Sequence, residues 1–136
     1  MKIDSDKALV NAPIQTVYDF LINSENLYKI LPQDKISDFT ADQTSCSFKV
    51  QGGFVISLIQ EQLNPNTSIV LKSGEKSPFP FTLTVHLKEV DASTTEGHMA
   101  FDGEVNMFMK MLVEKPLASL FGYMTNRLQK HYAQEI

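Results

Sequence analysis

Three histidines, one cysteine and 16 acidic side chains are the groups in this chain with which chemistry could be done. A zinc centre takes three or four ligands, commonly supplied as close pairs such as His-x-His or Cys-x-x-Cys. His86, His98 and His131 form no such pair and Cys46 stands alone, so no metal site and no cofactor are expected. His86 and His98 fall on the polar phase of two successive alternating segments. If Asp91-Ala92-Ser93 joins those segments as a hairpin, the imidazoles stand opposite one another on an outer face. Such a pair could chelate a metal weakly or respond to pH. His131, near the end, is expected in solvent. Cys46 shares its strand phase with Phe48 and Val50, which points it inward. A catalytic thiol needs a cationic, partly exposed setting with a base, and nothing nearby in sequence supplies one.

The carboxylates are equally sparing. Glu96, Asp102 and Glu104 lie on a polar strand phase. Gln60 and Glu61 sit in a segment that is apolar on both parities, so one of them could turn inward. A desolvated Glu61 would have a raised pKa and become a general-base candidate. Tyr18 and Tyr123 could each offer a phenol to a ligand. Gly52-Gly53 lacks the Gly-Lys-Ser/Thr ending and the following helix of a phosphate loop, and reads as a hairpin turn. No catalytic residue is assigned.

Composition narrows the classes. The chain has 136 residues, 43% hydrophobic and 21% charged, which predicts one globular domain over residues 1–136. Net charge is −4, and only Arg127 among the 12 basic residues is an arginine, so a nucleic-acid partner is not expected. No run approaches ~18 apolar residues, so no stable membrane insertion is expected. The polar opening Met1–Asp6 and the single cysteine predict a cytoplasmic protein.

The elements that must position these groups follow from periodicity. Ile3 to Val10 reads as a strand. Asn11 is expected to cap a helix that carries Ile14, Val17, Tyr18 and Leu21 on one face. Ser24 is expected to cap a second short helix, Glu25 to Leu31, which Pro32 ends. Period-2 segments follow around Cys46–Val50, Phe54–Leu63, Thr67–Ser73, Phe81–Lys88 and Thr95–Glu104, giving about six strands with the first. Asn106 to Tyr132 has helical spacing, and Pro116 within it predicts a kink or a break. The class is α+β.

Alternation and helical phase supply the candidate lining of an interior cavity. From the strands come Phe48, Val50, Phe81, Leu83, Val85, Met99 and Phe101. From the last helix come Met107, Met111, Phe121 and Met124. Methionine and phenylalanine suit an adaptable apolar pocket. The segment Met107–Leu112 could instead seal a cavity mouth or dock a partner.

The order of one strand, two short helices, an antiparallel meander and a long terminal helix resembles the helix-grip fold. Val10-Asn11-Ala12-Pro13-Ile14, Val17-Tyr18, Phe20-Leu21, Asn23, Asn26-Leu27 and Ile30-Leu31-Pro32 resemble the opening signature of the SRPBCC superfamily. Lys115-Pro116-Leu117 within a terminal helix is similar to small bacterial members. That grouping holds START domains, pollen-allergen-like proteins, polyketide cyclase/dehydrase-like proteins and a branch associated with carbon monoxide dehydrogenase. The resemblance implies a curved antiparallel sheet wrapped around the last helix, with a cavity between them that in many members holds an apolar molecule. Some members are enzymes, but no branch motif is present here to which catalytic residues transfer. The expected function is therefore non-catalytic binding of a small hydrophobic or amphipathic ligand. The alternatives are a cyclase/dehydratase-type enzyme in the same cavity, or an interaction module with a closed core, and a homodimer through the sheet edge or the last helix is compatible with either.

Overall fold

The computed structural model describes residues 1–50 and 53–133. Eight strands form one antiparallel sheet: β1 (Lys2–Asp4), β2 (Ala8–Val10), β3 (Ile36–Ala41), β4 (Ser45–Val50), β5 (Phe54–Asn64), β6 (Ser68–Ser73), β7 (Phe81–Asp91) and β8 (Thr94–Gly103). The spatial order is β1-β8-β7-β6-β5-β4-β3, with β2 also on β8. Between β2 and β3 lie α1 (Ile14–Leu21) and a 3₁₀ helix (Ser24–Ile30). The chain closes with α2 (Met107–His131), packed against the curved, open sheet. No helix among the described residues is long and apolar enough to cross a membrane.

Alternation determines which face is inside. On β7, Phe81, Leu83, Val85 and Leu87 are buried, while Thr82, His86 and Lys88 are exposed. On β8, Thr95, Gly97, Met99, Phe101 and Gly103 are buried. The register pairs Leu83 with Phe101 and Val85 with Met99, so both strands present one apolar face. On α2, Val113, Leu117, Leu120, Phe121, Met124 and Leu128 form the buried stripe. The two faces meet in an aromatic stack, with Phe101 5.0 Å from Phe81 and 5.3 Å from Phe121 between ring centroids.

Several expectations are corrected. The first strand is two strands. Ser5 accepts a hydrogen bond from the Met99 N–H at 2.8 Å and donates its own N–H to the Met99 carbonyl at 2.9 Å, and the pairing then lapses until Ala8. The meander also has an additional edge strand, β3. Only Ile36 and Phe39 are half-buried there, and the register shifts between Ser37 and Thr40 around Asp38 at φ 55°, so the segment lacks period 2. Asn11 does not cap α1: the N-cap is Pro13, whose carbonyl accepts from the Val17 N–H at 3.1 Å. Asn23 rather than Ser24 caps the next helix, its Oδ1 accepting from the Glu25 N–H at 3.1 Å. Ser24 lies buried in the first turn instead.

Of the kink or break expected at Pro116, the break is absent: α2 is one continuous helix of 25 residues. Proline removes the N–H that the Leu112 carbonyl would accept, but Leu112 is exposed, so water can serve that carbonyl. Of the turn expected at Gly52-Gly53, Gly53 has φ 99° and donates its N–H to the Val50 carbonyl at 3.0 Å, whereas Gly52 lies outside the described residues.

Candidate ligand-binding pocket

At the β3–β4 end of the sheet, a pocket of about 260 Å³ lies between the sheet and α2. One wall comes from Pro32, Lys35 and Ile36, which follow the 3₁₀ helix into β3. Val50 faces it from β4, held opposite Ile36 by the strand register. Pro116, Ser119, Leu120 and Tyr123 complete it from α2. Their spacing of i, i+3, i+4 and i+7 makes them one helix face. Leu120 and Val50 are buried, while Ser119 and Tyr123 reach solvent, so the pocket runs from an apolar floor to a polar rim. Among the described residues its lining contains no carboxylate and no imidazole, and the side-chain polar groups are the Lys35 ammonium and the hydroxyls of Ser119 and Tyr123. Such a lining can enclose an apolar group and hydrogen-bond its outer end.

Of the eleven residues proposed from sequence, Val50 lines this pocket. Phe48, Phe81, Leu83, Val85, Met99, Phe101, Phe121 and Met124 are buried with it but pack as core, filling the space between sheet and helix. Met107 and Met111 line no interior space, with 74% and 78% of their surfaces exposed. They belong to the first turns of α2, where Phe108 at 72% and Leu112 at 56% are exposed as well. The pocket residues that periodicity missed fall into two groups. Pro32, Lys35 and Ile36 flank a strand without alternation. Pro116 and Ser119 flank the buried helix stripe and Leu120 lies within it, where spacing alone does not separate a pocket wall from core or a solvated flank; Tyr123 was expected from the sequence only as a phenol that a ligand could meet.

The other candidates resolve as follows. His86 and His98 are directly opposite in the β7–β8 register, with imidazole centroids 4.8 Å apart and planes at 17°. Burial, then the neighbouring His98, hold His86 below the ordinary histidine pKa, against a weaker opposing effect of Asp4. No group of three or more His, Cys, Asp or Glu side chains suited to a metal ion occurs among the described residues. Cys46 is buried, and its thiol is pushed up to about 12 by desolvation and, secondarily, by Asp42. Glu61 is exposed, and a register shift between Gln60 and Gln62 on β5 separates it from the interior. Gln60 turns in instead, donating from Nε2 to the Ile22 carbonyl and so tying β5 to the end of α1. Tyr18 is buried in the core cluster, so of the two tyrosines only Tyr123 reaches the pocket. His131 is exposed as expected, 4.7 Å from the Phe20 ring between centroids.

No protein-family profile matches the chain, and no curated protein matches it. Solved structures do. The protein XoxI from Bacillus cereus superposes with a TM-score of 0.71 at 14% identity, over 96% of this chain and 94% of that one. A START superfamily protein from Mycobacterium smegmatis gives 0.67 at 14% identity, over 96% and 98%. The di-domain ARO/CYC protein BexL from the BE-7585A biosynthetic pathway gives 0.65 at 15% identity, with 97% of this chain matching 46% of that one. At such identities the likeness is one of fold. The chain therefore has the helix-grip fold, which it shares with these START superfamily and ARO/CYC structures.

Proposed function

We propose that this protein binds a small hydrophobic or amphipathic molecule, without transforming it, in the pocket beneath Pro116 and Leu120. The observation that carries the reading is the pocket itself, an apolar recess with a polar rim between sheet and last helix. Proteins of the same fold include a START superfamily member and an ARO/CYC protein, which fits a ligand-holding role. Burial of apolar surface would supply most of the affinity, at roughly 25 cal/mol per Å² before ordering costs. A cyclase-type reaction would need an acid and a base converging on the ligand, whereas the lining offers one ammonium and two hydroxyls. The solitary buried thiol fits the reducing compartment expected from the sequence.

The test is native mass spectrometry of the purified protein, followed by organic extraction, on the wild type and on Ser119→Trp. Ser119 is exposed at the rim, so the indole fills the pocket without disturbing the core. A discrete adduct on the wild type that is absent from the variant is the expected result. An adduct retained equally by both would refute the location.

The exposed apolar face of Met107, Phe108, Met111 and Leu112 favours a second reading, an interaction surface. Self-association that Phe108→Ser abolishes, with no ligand in the pocket, would favour it over ligand binding.

A further inference from the structure

Immediately outside the apolar pocket lies a second hollow of about 260 Å³, lined by Lys29, Leu31, Gln33, Asp34, Tyr123 and Arg127. Tyr123 belongs to both, so the two spaces adjoin across its side chain. The 3₁₀ helix brings Lys29, and α2 brings Arg127 one turn beyond Tyr123. Arg127 is the only arginine among the chain's 12 basic residues. Among the described residues, the one ion pair is Lys110–Glu114 at 3.8 Å, so neither Lys29 nor Arg127 is paired with a carboxylate there. Asp34 rims the same hollow, which leaves two cations against one anion, and Lys35 adds a third positive charge from the apolar side. The two cations also act together on His131, whose pKa is lowered by burial first and then by Lys29 and Arg127.

We propose that the ligand is a small amphipathic anion, its apolar part in the pocket beneath Pro116 and Leu120 and its acidic group held by Arg127 and Lys29 beside the Tyr123 side chain. This rests on the pocket being the ligand site. A guanidinium presents parallel N–H donors that match a carboxylate, sulfonate or phosphate, and a nearby ammonium adds charge without demanding geometry. The apolar part is one short chain or two to three rings. The pocket is smaller than the ~300–1,000 Å³ typical of sites that enclose drug-sized ligands, and a two-chain lipid is larger still.

Two fluorescent probes of one skeleton test this. 8-Anilinonaphthalene-1-sulfonate carries an acidic group, and N-phenyl-1-naphthylamine is the same molecule without it. The wild type should bind the sulfonate at least about tenfold more tightly, the ratio expected of a charge-assisted hydrogen bond. Arg127→Gln and Lys29→Gln should each weaken the sulfonate while leaving the neutral probe unchanged, and Ser119→Trp should abolish both. Both mutated cations lie outside the buried core, so these variants fold. Equal affinity for the two probes, lost in Ser119→Trp, would overturn the anion assignment and leave the pocket standing. Binding that is insensitive to Ser119→Trp would overturn the pocket reading and this one with it. Sedimentation with phosphatidylglycerol vesicles separates a free acid from a lipid headgroup. Protein remaining in the supernatant is expected, and co-sedimentation lost in Arg127→Gln would overturn the assignment to a free anion.

Discussion

The Thr125 hydroxyl of α2 lies 3.0 Å from Ser5 Oγ, at the place where the first strand of the sheet divides in two. It is also 2.9 Å from the Phe121 carbonyl one turn back, and Ser5 in turn accepts from the Met99 N–H at 2.8 Å. A chain of polar contacts thus joins the last helix to β8 through a residue of the N-terminal segment, in a setting where Thr125 is buried. Thr95, also buried, anchors the start of α1 by donating to the Ala12 carbonyl at 2.9 Å. Among the described residues the contact of Thr125 with Ser5, and no ion pair, ties the helix that walls the pocket to the N-terminal segment.

Thr125→Val keeps the shape and removes the hydroxyl. Stability should fall by about 1 kcal/mol, the net worth of a hydrogen bond in such a setting, which for a domain of this size is a drop of roughly 2–5 °C in Tm. Urea and thermal unfolding of the two proteins measure this. An unchanged midpoint would mean that the Ser5 contact contributes nothing.

Cys46 should be inert while the protein is folded. With its pKa at about 12 the thiolate fraction at pH 8 is on the order of 10⁻⁴, and the sulfur is buried as well. Labelling by iodoacetamide is expected to be negligible over an hour in buffer and complete in denaturing urea. Rapid labelling of the native protein would contradict the inward placement.

Pro116→Ala restores the N–H that the Leu112 carbonyl lacks and removes a ring from the pocket wall. Stability should rise, by about 1–3 kcal/mol on helix propensity, while a neutral pocket ligand binds several-fold more weakly for want of the contact. A variant that is both less stable and binds as tightly would show that the proline has neither role.

Acid should weaken the sheet through His86. Its folded pKa is depressed below the ordinary 6.5, so the folded form resists a proton that the unfolded chain accepts. The stabilisation is fully present above pH 6.5 and is lost as pH falls from there through the folded value. His131, depressed first by burial and then by Lys29 and Arg127, adds in the same direction. Tm should therefore be flat from pH 7 to 8 and decline below 6.5. His98→Gln, which removes the facing imidazole at 4.8 Å, should make the decline shallower. Parallel profiles for wild type and variant would exclude the histidine pair as the cause.

The strands that alternate cleanly were legible without coordinates. Leu83 against Thr84 and Phe101 against Asp102 declare an inner face, and the histidine pair followed from that phase and a hairpin at Asp91-Ala92-Ser93, of which the structure leaves Ala92-Ser93 as the loop. The stripe from Leu117 to Leu128 declared the inner face of α2 in the same way. Where alternation failed, the reading failed. Strand β3 exists because β4 offers it an edge, and its shifted register around Asp38 leaves no period to detect.

What the sequence by itself determined is the inside and outside of each regular element, because burial of apolar side chains repeats with the period of the backbone that carries them. It therefore specified the order of the elements and the inward faces that carry Phe48 to Met124, which it assigned to a cavity lining, but not the pocket. A pocket is a place where two buried faces fail to touch, and that is a property of their relative placement, not of either pattern. Only the tertiary structure decided that Phe101, Phe81 and Phe121 fill the centre, that Met107 and Met111 stand outside it, and that Pro32, Val50, Leu120 and Tyr123 meet around a space. It also brought Lys29 to Arg127, 98 positions apart in the chain, because the 3₁₀ helix and α2 flank one end of the sheet.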